Sequence, residues 1–210
     1  MPDFAADEGR LAMDFFDRLE AARARWDVLE HPFYARWSNG ELTGEELACY
    51  AGEYRHAVVA LADAVAVAGP AGHAAEEAEH VGLWNEFARA AGAPDAGEPR
   101  PETRACVEAW TAGRDPLEAL AVTYAIESGQ PAISRTKLRG LLGHYGFEEG
   151  PATEYFALHA TLDERHAAES RELIEERLAD SDGERLLELA EGALRGNWRL
   201  LDGVERAFAR

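Results

Sequence analysis

Apolar residues recur along this chain at helical spacing, and the strict alternation of a strand is nearly absent. Leu11, Phe15, Leu19 and Ala22 form one stripe and predict a first helix ending near Glu30. His31-Pro32 breaks it, because a residue before proline disfavours helical backbone, and HPFYARWSNGEL is expected to be a loop. Thr43 with Glu46 is a capping-box pair that opens a long helix to about Ala68. Leu47, Tyr50, Tyr54, Val58 and Leu61 make its apolar face, and Gly69-Pro70 closes it. The next helix runs from about Gly72 to Ala91, and Gly92 to Pro101 is a Pro/Gly-rich loop too short to separate domains. Pro101 starts a short helix to about Gly113. Asp115-Pro116 then caps DPLEALAVTYAIES, which is apolar enough to be buried all round. Gly129-Gln130-Pro131 interrupts the chain before the amphipathic ISRTKLRGLLGHYG. A helix from about Ala152 to Ala179 follows, and Ser181 with Glu184, a second capping-box pair, opens a last one to about Ala207. The pattern predicts an all-α bundle of about seven helices, one domain over residues 1–210. It is not a coiled coil, since no heptad persists.

Composition narrows the function classes. A chain of 210 residues with 47% apolar positions can bury one sizeable core. A net charge of −19 argues strongly against nucleic-acid binding through phosphate contacts and disfavours anionic membranes. No apolar run approaches the roughly 20 residues of a membrane span. MPDFAADEGR has neither the basic nor the apolar region of a signal peptide. Cys49 and Cys106 are far apart and unpatterned, which suits a reducing compartment, and a cytoplasmic location is expected.

The chemistry concentrates in YFALHATLDERHAAES. His159, Asp163 and His166 are spaced i, i+4, i+7, within roughly 60° of one another on a helix. Core packing does not ask for two imidazoles and a carboxylate on one face, whereas iron, zinc and manganese take that ligand set. The competing reading is a solvated face. A second stretch, HAAEEAEH, carries His73, Glu77 and His80 at the same i, i+4, i+7 spacing, with Glu76 also one turn before His80. Glu127 ends the apolar helix, either as an exposed helix-end residue or as a bridging carboxylate. Three carboxylates and three histidines on three helices are what helix-bundle sites use to hold two irons, and three ligand charges largely offset two divalent cations.

Four blocks, HPFYARWSNGELTGEELACYAGEY, HVGLWNEFARAAG, YAIESGQPAISRTKLRGLLGHYGF and YFALHATLDERHAAE, resemble the TenA/PqqC-type, heme-oxygenase-like fold over about Leu29 to Leu178. Within it the chain is most similar to the heme-oxygenase-like diiron oxidases of the chlamydial death-domain-associating type. The resemblance implies Glu77, His80, Glu127, His159, Asp163 and His166 as ligands of two iron ions, with manganese the alternative. It departs at one point. The first carboxylate of that type falls at His73 here, and the spacing of Glu77 and His80 resembles a branch that decarboxylates fatty acids instead. Tyr34, Tyr50 and Lys137 match two tyrosines and a lysine of the death-domain-associating type. There, a tyrosine of the protein itself becomes p-aminobenzoate, with the lysine as proposed nitrogen source. Each also has a plain role, two as core aromatics and one as a surface lysine.

The expected activity is that of an O2-dependent non-heme diiron oxidase, with O2 and a reductant as partners and a small-molecule or self-derived substrate. Tyr50 and Tyr54, one turn apart, are placed to line its cavity or carry a radical. Oxidative decarboxylation of a fatty or amino acid, or a non-catalytic TenA-like partner role, are the alternatives. A thiaminase needs a nucleophilic cysteine on the ALAVTYAIES helix, where neither cysteine falls. A homodimer is one option for assembly.

Overall fold

The computed structural model describes residues 4–69, 71–94 and 97–209. Ten α-helices and two short 3-10 turns make up the described chain: α1 Phe4–Arg25, α2 Pro32–Asn39, α3 Gly44–Ala68, α4 Ala71–Ala90, α5 Pro101–Trp110, α6 Pro116–Glu127, α7 Gln130–His144, α8 Pro151–His159, α9 Leu162–Glu175 and α10 Gly183–Phe208. No strand occurs among the described residues. Helix α3 is central and packs on α4, α5 and α6, while α10 closes the other side against α1, α5 and α6. Its predicted stripe, Leu47 to Leu61, is buried, as are Phe15, Leu19 and Ala22 of α1. The side chain of Leu11, and Pro70, lie outside the described residues. Every residue of α6 from Ala119 to Glu127 is buried, as its unbroken apolar run requires.

Local chemistry explains most boundaries. The Thr43–Glu46 box is reciprocal: Thr43 N donates to Glu46 Oε2 at 2.7 Å and Glu46 N to Thr43 Oγ1 at 3.2 Å. Asp115 Oδ1 accepts from the Leu117 and Glu118 amides and starts α6. Three expectations are corrected. The segment after His31 is not a loop but α2, with Pro32 in its first turn and His31 Nδ1 accepting from Phe33 N at 3.0 Å. The helix expected over 152–179 is interrupted at Ala160-Thr161. The freed Ala160 carbonyl accepts from Arg135 Nη1 at 2.7 Å, so the break is stabilised from α7. Ser181 does not cap α10. Asp182 does, its Oδ1 accepting from Arg185 N at 3.1 Å, because Ser181 Oγ already donates to Leu178 O and Glu184 is engaged by Arg18.

One contact fixes α2 against α7. Trp37 Nε1 donates to Lys137 O at 3.2 Å, and its indole lies directly over Gly140, where a Cβ would overlap it. Gly140→Ala is therefore expected to cost about 1–3 kcal/mol through overpacking. Gly143→Ala, three residues on and facing open space, should gain about 0.5–1 kcal/mol from helix propensity. Urea unfolding of the two variants, compared with the natural chain, checks both signs.

Candidate metal centre

Four helices bring seven titratable side chains together. Helix α4 supplies His73, Glu77 and His80, α6 ends in Glu127, α8 ends in His159, and α9 begins with Asp163 and His166. All except His73 are buried, and the His73 side chain is only 12% exposed. Two groups emerge in which the offered ligand atoms all lie within 4.8 Å of one another: His73, Glu77, Glu127 and His166, and Glu77, His80 and His159. Glu77 belongs to both. Asp163 stands between them: both its oxygens are 2.9 Å from His159 Nδ1, and Oδ1 is 4.0 Å from His166 Nδ1.

The break between α8 and α9 changes how the H-x3-D-x2-H motif is presented. His159 projects from the last turn of one helix and Asp163 from the first turn of the next, where the helix dipole favours a carboxylate. On α4 the choice between neighbouring glutamates is one of direction, since consecutive helical residues point about 100° apart. Glu77 faces inward, 2.9 Å from His80 Nδ1, and is buried. Glu76 is 44% exposed, and its Oε2 lies 3.1 Å from His166 Nε2 and 3.3 Å from Arg165. It holds the outer edge of that imidazole, the way carboxylates orient ligating histidines.

Charge is unevenly compensated in this pocket. Burial pushes the Glu127 carboxyl up, against the pull of His73, to about 7. Burial also opposes the charge on His73 and His80, but the facing Glu127 and Glu77 outweigh it and leave both imidazoles raised. For Glu77 the upward push of burial is outweighed by His80, and its carboxyl sits below the ordinary value. The decisive observation is a set of buried polar atoms left open: Glu127 Oε2, His159 Nε2 and His166 Nδ1 have no hydrogen-bond partner, and His73 Nε2 and Glu127 Oε1 face only each other, at 3.0 Å. Buried polar atoms are nearly always satisfied, and these belong to the imidazoles and carboxylate of the two donor groups. A cation in each of the two groups would satisfy them, and the donor set suits iron.

A sequence profile described as iron-containing redox enzyme matches residues 70–199, the stretch that holds every one of these side chains. The chain belongs to that family. It is therefore an oxidoreductase that uses iron, and the donor cluster fits that metal. A 4-aminobenzoate synthase of Chlamydia muridarum is 30% identical over 91% of this chain and 90% of its own. A TenA homologue from Pseudomonas syringae covers 93% of both chains with a TM-score of 0.77 at 17% identity. A domain with a heme oxygenase-like fold from Shewanella denitrificans covers 99% of this chain and 94% of its own, with a TM-score of 0.68 at 19% identity. The expected heme-oxygenase-like, all-α fold is the fold of this family member.

Tyr34, Tyr50 and Lys137 lie outside both metal groups, in an aromatic box beside them. The Tyr34 and Tyr50 hydroxyls are 2.9 Å apart, and burial holds both phenols well above their ordinary value. Lys137, expected on the surface in its plain reading, is completely buried. Its Nζ has no hydrogen-bond partner and lies 4.4 Å from the Tyr54 ring centroid and 5.6–5.8 Å from those of Tyr34, Tyr50, Trp84 and Phe156. Two residues that sequence reasoning passed over join box and metal groups. The Tyr155 ring stacks on His159 at 4.2 Å and meets Trp84 at 4.9 Å; Trp84 in turn meets Tyr54 at 5.1 Å. Each sits four residues from a motif histidine on the same helix, the spacing at which helical side chains touch.

Proposed function

We propose that this protein is a two-iron, O2-dependent oxidase that forms 4-aminobenzoate from its own Tyr34, with Lys137 giving the nitrogen. The observation that carries this reading is the Lys137 amine. A buried lysine with no anion and no hydrogen bond is a cost to folding that packing does not explain. Burial alone brings it from 10.5 down to about 7, so much of it is the neutral, nucleophilic amine at neutral pH. Glu77, His80, Glu127, His159, Asp163 and His166 would hold the two ions, and iron when bound supplies O2 reduction and oxidising power. The chain's own residues do the rest. Tyr50 fixes the Tyr34 hydroxyl, the surrounding rings keep water from the amine, and Trp84 with Tyr155 leads from the tyrosines to His159. The relative from Chlamydia muridarum, by its name, makes the same product.

A second reading, oxidative decarboxylation of a fatty or amino acid, is favoured by the spacing of Glu77 and His80. A cavity of about 360 Å³ beside the end of α6 also favours it, lined by Arg23, Trp26, Ile126, Ser128, Ile133 and Leu194. The two readings separate in one experiment. Protein labelled with 13C-tyrosine and 15N-lysine is loaded with Fe(II) and exposed to O2 and a reductant, with no substrate added. The expected result is released 4-aminobenzoate carrying both labels, at no more than one per chain. Unlabelled or absent product, with turnover of an added fatty or amino acid, rejects self-consumption in favour of the second reading.

A further inference from the structure

The two metal-like stretches of this chain are copies of one pattern. His73-x3-Glu77-x2-His80 repeats as His159-x3-Asp163-x2-His166. In the fold the copies lie head to tail. The first histidine of one meets the last histidine of the other twice over, His73 with His166 at a ring separation of 3.8 Å and His80 with His159 at 4.6 Å. Exchanging α4 with the α8–α9 pair maps one histidine pair onto the other, and His73 then takes the place of His159.

From this geometry we infer that His73 is itself a metal ligand, completing with Glu77, Glu127 and His166 a compartment distinct from that of Glu77, His80 and His159. The local contacts bear this out. His73 Nε2 lies between two carboxylates of the same group, 3.0 Å from Glu127 Oε1 and 3.9 Å from Glu77 Oε1. That pairing leaves Glu127 Oε2, a buried acceptor of the same group, without a partner. His166 Nδ1 is likewise unpartnered, while its other nitrogen is taken by Glu76. Two imidazoles and two carboxylates form a complete set for a divalent first-row ion. Four histidines then accompany three carboxylates in the whole centre, and Glu77 is the one side chain common to both compartments.

This inference rests on the two-iron reading, and its test separates the two. Fe(II) is titrated anaerobically into the full chain, and bound metal is counted by elemental analysis while ligand-field bands are followed by near-infrared circular dichroism. The natural chain is expected to bind two equivalents. His73→Ala should bind one, matching the loss in His166→Ala, with the bands of the remaining ion kept. His73→Glu, which restores an anionic oxygen ligand, should bind two again with displaced bands; a merely structural histidine predicts no such recovery. His73→Ala that binds two equivalents with unchanged bands overturns the assignment and leaves the two-iron reading intact. A natural chain that binds fewer than two overturns both. A measurement on the natural chain removes any dependence on how the variants fold. Exchange of the His73 imidazole C2 hydrogen, read by mass spectrometry, should slow at least fivefold when Fe(II) is added, and an unchanged rate overturns the proposal.

Discussion

Lys137→Met is expected to abolish 4-aminobenzoate formation, by more than 100-fold, while making the protein harder to unfold. The two effects share one cause. Lys137 Nζ lies fully buried among Tyr34, Tyr50, Tyr54, Trp84 and Phe156 with no hydrogen-bond partner. The displacement of its amine from 10.5 to about 7 is worth roughly 5 kcal/mol at about 1.4 kcal/mol per pH unit. The sign follows from proton counting. Between about pH 7 and 10.5 the unfolded chain holds this proton more often than the folded one, so stability rises with pH across that window. The cost is full below about pH 7 and is lifted as the pH approaches 10.5. Methionine is close in shape, flexible and apolar, and replacing an uncompensated buried charge in this way gains about 1–4 kcal/mol. Urea midpoints of natural chain and variant, measured from pH 6 to 10, should differ most at the acid end and converge at the alkaline end. Iron content should be unchanged, because Lys137 belongs to neither donor group. A variant that still releases 4-aminobenzoate removes lysine as the nitrogen source. One that is destabilised equally at every pH shows that packing of the lysine stem outweighs burial of its amine.

The sequence alone reveals those parts of the fold that are encoded locally. Thr43 and Glu46 close their box within four residues, Asp115 caps its own helix, and the unbroken apolar run of α6 needs no partner to be read as buried. What escapes is set across long separations. The break after His159 is held by Arg135, 25 residues earlier, and nothing in YFALHATLDERHAAE signals it. Helix α2 escapes for a different reason: its cap is a histidine, and the proline that ends one element also begins the next. The same division applies to the site. The i, i+4, i+7 spacings identify the histidines, but only the rotation of α4 decides that Glu77 faces inward and Glu76 outward. The sequence likewise places Lys137 on an amphipathic helix without saying on which side it falls. Its burial against α3 and α4 is a tertiary fact, and it turns a plausible surface lysine into the most informative side chain of the molecule.

Tyr34→Phe and Tyr50→Phe are expected to part company, and the comparison identifies the ring that is consumed. The two hydroxyls form a buried pair at 2.9 Å, so either variant leaves the other oxygen without its partner. An orphaned buried hydroxyl costs about 1–3 kcal/mol, and both variants should lose stability in that range. Their chemistry should differ. If Tyr34 is the ring that becomes 4-aminobenzoate, Tyr34→Phe has no phenol to oxidise at that position and forms no product. After Fe(II), O2 and reductant its chain keeps its full mass. Tyr50→Phe retains the consumed ring but loses the contact that orients it, and orientation at near-contact distance commonly carries factors of about 100 in rate. It should therefore react slowly, on the order of 10–100-fold below the natural chain, and still show the mass loss at Tyr34 in peptide mapping. The reverse pattern, with product from Tyr34→Phe and a modified Tyr50, reassigns the consumed residue to Tyr50. That outcome has a structural basis, because Tyr50 also meets the Tyr54 and Trp84 rings, at 5.3 and 6.1 Å, on the side towards His159. Full activity in both variants would instead place the oxidised group outside this pair.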